Sequence, residues 1–246
     1  MERQKYIFIS LSVLLTMNSW ASNKEKIYEA YISGNMKEWK TVIDQMQRQS
    51  EKPPEFLIEL VNYQYGYIGW CIGEDKNGEA KQTIKLAEEN LEKLKNRNYS
   101  ISEINAYKSA LYGFKIGLSP IKATILGPKS LNHSKLAIEQ DKTNPMGCIQ
   151  YGNSQFYMPP VFGGSKKEAV EYFLKALRLM ETEKAKTEDN WNYLSLLTQI
   201  AQSYEDIDET EKADSIYNKI LETEPRFEYV KKELYPDFLK KKNKNE

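Results

Sequence analysis

Histidine is almost missing from this chain. His133 is the only one in 246 residues, and cysteine is nearly as scarce, with Cys71 and Cys148 alone. One histidine and two distant thiols cannot assemble a zinc set. No Asp-x-Asp-x-Asp-Gly loop for calcium occurs either. Histidine-based nucleophilic catalysis would rest wholly on His133, which falls in a charged segment expected to be an exposed helix face. No serine stands in a Gly-x-Ser-x-Gly elbow. Cys71 and Cys148 fall in predicted helices two structural units apart. A bridge needs Cα atoms within roughly 7 Å, so two buried thiols are expected. An excess of charge is also missing, since Lys plus Arg and Asp plus Glu both number 35. That removes the electrostatic case for binding nucleic acid. Only nine prolines and twelve glycines punctuate the chain, which favours long helices over a many-turned β protein.

Long apolar runs are absent except at the start. Arg3 and Lys5 precede "YIFISLSVLL", which is too short to span a bilayer comfortably. "NSWAS" follows, with Ser19 and Ala21 small on the near side of a cut after Ala21. This is the pattern of a cleaved export signal over residues 1–21. The mature chain is expected in the periplasm or outside the cell, with no membrane span.

What the chain does have is a repeat. "EAKQTIKLAEE" carries Ala80, Ile84 and Ala87. "KEAVEYFLKAL" carries Ala169, Phe173 and Ala176, and "EKADSIYNKIL" carries Ala213, Tyr217 and Ile220. A spacing of four then three puts each trio on one helical face. The small residue admits a neighbouring helix and the large one fills the groove beside it. Each trio follows another helical pattern and a polar turn, giving paired antiparallel helices of about 34 residues. In "KIYEAYISGNMKEWKTVIDQM", Gly34 marks the turn but Trp39 occupies the small position, as suits an end unit. A third unit places Ser130, Ser134 and Ala137 at the three positions after a long connection, Leu118 to Lys129, expected to be irregular. "RFEYVKKELYPDFLKK" is expected to cap the array and end near Tyr235, leaving 237–246 as a flexible lysine-rich tail.

The last unit resembles a tetratricopeptide repeat, with Ala213, Tyr217, Ile220 and Pro225 in place. "NPMGCIQYGNSQFYMPPVFGGSKKEAVEYFLKAL" is similar to exported tetratricopeptide proteins of Bacteroidetes-type bacteria, in which a Pro–Phe–Gly–Gly segment joins the helices. The same joint resembles that of the helical T-component of tripartite periplasmic transporters. The resemblance implies an all-α superhelix of about five helical hairpins over 22–236, plus the capping helix. It implies a binding scaffold rather than an enzyme, holding a protein or peptide on its concave face. The alternative is a small-ligand or transport accessory protein.

The joint itself raises one chemical question. "FGGSKKEA" could cradle a phosphate, but no window supplies the Gly-x₄-Gly-Lys-Ser/Thr of a P-loop. Ser165 followed by Glu168 reads instead as a capping box. No catalytic, cofactor-binding or metal-ligating residue is assigned. The 17 tyrosines are the better signal. Aromatics on the packing stripe of each first helix belong to the core. The others, with Asn and Gln between them, would suit a groove. Its candidates are Tyr65, Trp70, Tyr112, Tyr151, Asn153, Tyr157 and Phe162. Whether Tyr157 and Phe162 pack under the joint or line a groove beside it is open at this level.

Overall fold

The computed structural model describes residues 23–245, which are helical with no strand among them. The export signal expected over 1–21 lies outside these residues. The helices are α1 (23–33), α2 (Met36–Arg48), α3 (Pro54–Gly73), α4 (Asn77–Asn96), α5 (Ile101–Gly117) and α6 (Ala123–Gln140). Then follow α7 (Pro145–Tyr157), α8 (Lys166–Glu181), α9 (Trp191–Glu205), α10 (Thr210–Thr223) and α11 (Tyr235–Asn245). Odd and even helices pair as hairpins, and successive hairpins stack, with α5 against α7, α6 against α7 and α8 against α9. No helix among the described residues is long and apolar enough to cross a membrane.

Helix starts follow side-chain chemistry. Asn35, Ser100, Asn144, Ser165 and Asn190 each accept a hydrogen bond from a first-turn backbone N–H. Such caps satisfy donors that have no partner inside the helix. The repeated trios form the seams. Ala80, Ala87, Ala169, Phe173, Ala176, Ala213, Tyr217 and Ile220 are fully buried, and Ile84 nearly so. The serine variant of the trio also packs inside, because its hydroxyls are paired. Ser109 Oγ and Ser130 Oγ each donate to the other residue's carbonyl oxygen at 2.9 Å. Ser102 Oγ donates to the Ala137 carbonyl at 2.7 Å.

Three expectations are corrected. The Leu118–Lys129 connection is mostly ordered: a 3₁₀ turn at Pro120–Lys122 leads directly into α6, which carries Pro128 internally. Pro128 sits in the second turn of that helix, where its ring costs one hydrogen bond but does not end the run. The terminal helix does not stop near Tyr235. It passes through a π turn at Val230–Leu234 and continues to Asn245. Phe238 is buried there against Tyr217, and Lys242 pairs with Asp214 at 2.8 Å, so the lysine-rich segment is docked. His133 is half-buried rather than exposed. Its Nδ1 lies 2.7 Å from Asn105 Oδ1 and its ring stacks on Tyr112. Burial, and then the nearby Lys108, push its pKa below the usual imidazole value.

The first helix packs against α9 and the connection that follows α10. Tyr31 lies 5.7 Å from Trp191 and 5.0 Å from Phe227, centroid to centroid. Tyr28 donates to Glu224 at 3.0 Å, and Arg226 bridges Glu29 and Glu224. Trp39, oversized for its repeat position, meets Trp191 edge-on at 5.0 Å. Gly66 makes this possible. A Cβ there would lie 2.6 Å from Trp39 and 2.7 Å from Trp191.

Candidate functional site

Several of the predicted aromatic residues pack against the chain's own rings. Tyr65 packs at 5.4 Å from Phe114, 6.0 Å from Tyr107 and 6.1 Å from Trp191. Among the predicted site residues, this places Tyr65 in an internal aromatic cluster. Trp70 is half-buried against Tyr67, with the Lys76 ammonium 4.9 Å above its ring. Tyr112 and Tyr151 lie within hairpins. Tyr112 stacks on His133 of α6, and Tyr151 packs on Tyr172 of α8 while donating to Glu168 at 3.0 Å. Asn153 donates to Gln150 and accepts from Gln199, spanning α7 and α9. The Tyr65 hydroxyl faces Gln150 and Asn153, with Tyr157 nearby. The structure therefore brings Tyr65, Asn153 and Tyr157 together, and leaves Trp70, Tyr112 and Tyr151 elsewhere.

Tyr157 and Phe162 are exposed. The α7–α8 joint explains why. Met158 and Pro159 are extended, and Pro160–Phe162 form a 3₁₀ turn. Gly163 takes φ +93°, a region costly for residues with a Cβ. A Cβ on Gly164 would stand 1.8 Å from the Met158 carbonyl oxygen. Ser165 N then donates to the Gln155 carbonyl, tying the joint back to α7. The capping box forms only by half. Ser165 Oγ accepts from Glu168 N at 3.2 Å, but the Glu168 carboxylate takes the Tyr151 hydroxyl instead of reaching back.

This geometry thrusts Tyr157, Val161 and Phe162 outward, at 75%, 83% and 72% exposure. The α5–α6 joint does the same. Its 3₁₀ turn also starts on a proline, and Ile121 and Ile125 stand 87% and 65% exposed. Because α5 and α6 both pack against α7, the two joints lie at the same end of adjacent hairpins. Burying these groups would be favourable, which makes the two apolar joints the candidate contact surface. One ion pair flanks it, Lys166 to Asp206 at 3.0 Å, with Lys166 also 5.2 Å above the Phe156 ring.

Ile121, Ile125 and Val161 were missed in the sequence reading. For Ile121 and Val161 a signal is present, since "SPIK" and "PPVF" both set an apolar residue just after a proline beyond a helix end, and Ile125 has none.

Many tyrosines do another job. Tyr67–Glu79, Tyr193–Glu181 and Tyr217–Glu205 are hydrogen-bonded pairs at 2.7, 3.0 and 2.6 Å, joining adjacent helices. Burial first, and then the glutamate, push each of these phenols above its ordinary pKa. They are neutral donors fixing helix pairs.

No family model and no curated protein matches the chain. Among solved structures, the HusA haemophore from Porphyromonas gingivalis shares the fold, with a TM-score of 0.62 and 18% identity, over 76% of this chain and 93% of that one.

Proposed function

We propose that this chain is an exported, non-catalytic binding protein, built as a tetratricopeptide-like array, that takes a planar apolar ligand of the porphyrin class at its paired joints. The observation that carries the reading is the set of exposed apolar side chains that two helix joints display: Ile121, Ile125, Tyr157, Val161 and Phe162. Such residues can clasp a flat molecule between two loops, the aromatic ones stacking on it. The shared fold with a protein named as a haemophore supports the same ligand class. An extended peptide fits less well, because Tyr31, Trp39, Tyr65 and Trp191 pack on one another inside the molecule instead of offering free aromatic surface.

Titration of the mature chain with haemin, and with metal-free protoporphyrin, followed by absorbance, tests this. Saturable binding of both is expected, weakened about tenfold or more by Phe162→Asp, which sets a charge against the ligand. Absence of saturable binding, or indifference to Phe162→Asp, overturns it. A second reading has one observation in its favour. The joint side chains stand out from the surface rather than lining an enclosed cavity, as docking residues for a protein partner do. Crosslinking and pull-down from a periplasmic extract, lost with Phe162→Asp and unaffected by haemin, would select it. Export is tested by sequencing the mature N-terminus, expected at Ser22.

A further inference from the structure

At the end of the molecule opposite the joints, a cavity of about 310 Å³ opens among the N-terminal halves of α1, α3, α5 and α9. Its size suits a small molecule. Four carboxylates line it: Glu55, Glu59, Glu103 and Asp189. Lys24 is the one cationic side chain among its described lining residues, and its Nζ donates to the Glu188 carbonyl at 2.9 Å. Glu59 Oε1 accepts from the Tyr63 hydroxyl at 2.5 Å. Its other oxygen, Oε2, is buried and has no hydrogen-bond partner among the described residues. The indole N–H of Trp191, on a side chain only 5% exposed, is likewise buried and unpartnered. Unmade hydrogen bonds of buried groups are costly, and native sites that keep them commonly await a ligand, ion or water.

The walls add direction. Tyr63, Tyr107 and Trp191 present aromatic surface, which attracts organic cations. Asn62 is fixed, accepting from the Tyr107 hydroxyl at 3.1 Å and from Asn192 Nδ2 at 2.8 Å. Burial raises the pKa of both Glu59 and Glu103, as expected of carboxylates short of positive charge. Tyr63 and, more weakly, Lys24 act against that shift at Glu59, without supplying a partner for Oε2.

We infer that this cavity binds a small primary amine carrying a neutral acceptor oxygen, with Glu59 Oε2 receiving the ammonium and the Trp191 N–H donating to the oxygen. An amine alone would leave the Trp191 donor unmade. A free amino acid would bring its carboxylate against Glu55, Glu103 and Asp189. An amino alcohol satisfies both orphan groups. This site lies apart from the joints and does not rest on the porphyrin reading.

The probe is 4-amino-1-butanol, titrated calorimetrically into the mature chain. Saturable binding is expected, with 1,4-butanediol and 4-aminobutyrate each at least about tenfold weaker. Glu59→Gln keeps the shape and removes the charge. It should weaken the amine about tenfold while the melting temperature holds, and Glu103→Gln should weaken it less. Absence of saturation up to ~10 mM overturns the proposal. So does an affinity unchanged in both variants, or 1,4-butanediol binding as well as the amine.

Discussion

Gly66 shows how one missing side chain sets a local structure. Trp39 fills a repeat position that elsewhere holds alanine or serine, and Trp191 arrives from a helix far along the chain. Both rings need the space over Gly66. Gly66→Ala should therefore destabilise the fold by about 1–3 kcal/mol, the usual cost of overpacking, as measured by denaturant unfolding. The tyrosine pins make a second prediction at this scale. Tyr193→Phe removes a hydrogen bond to Glu181 yet keeps the ring, and should cost about 1–2 kcal/mol. The abundance of tyrosine is legible in the sequence, but not this role. A hydroxyl's partner lies on another helix, and spacing within one helix is blind to it.

Among the elements, the α7–α8 joint is the most informative. The Gly163–Gly164 pair reads in the sequence as a turn rather than a phosphate cradle, and its geometry is that of a turn: a left-handed residue followed by one with no room for a Cβ. Gly163→Ala should cost about 1–2 kcal/mol. Gly164→Ala should displace the joint, and so weaken porphyrin binding more than stability of the array. Ser165 was legible as a cap because capping is a contact of three residues' span. The outward display of Val161 and Phe162 was not, because two residues in a tight turn have no periodicity to assign them a side. The run of α11 to Asn245 was hidden for a related reason. Lysines read as solvent-facing, but Phe238 buries itself and the acidic faces of α9 and α10 hold Lys241 and Lys242.

At the scale of the whole molecule, α1 is fastened to the connection that follows α10. Burial acts to raise the pKa of Glu224, but hydrogen bonds from Arg226 and Tyr28 outweigh it, and the group ends below the usual glutamate value. A carboxylate held low contributes stability that is fully present above its unfolded value and lost as pH falls through its folded value. Tyr28→Phe should thus destabilise by about 1–2 kcal/mol near neutrality, and by less in acid, where the protonated carboxyl no longer favours the latch. Melting curves at neutral pH and well below the glutamate range would check both the size and the sign.

Local spacing determined a good deal here. Trios at four and three residues dictate which face of α4, α6, α8 and α10 is buried, and one histidine with two distant cysteines is too few for a His/Cys zinc set. Tertiary structure decided where the ends go and what the surface offers. The contact of α1 with Trp191 and Phe227 joins residues some 160 and 196 positions apart, and no single repeat encodes it. The cavity of Glu59 and Trp191, and the apolar edge of Ile121 and Phe162, exist only because helices distant in sequence are stacked end beside end.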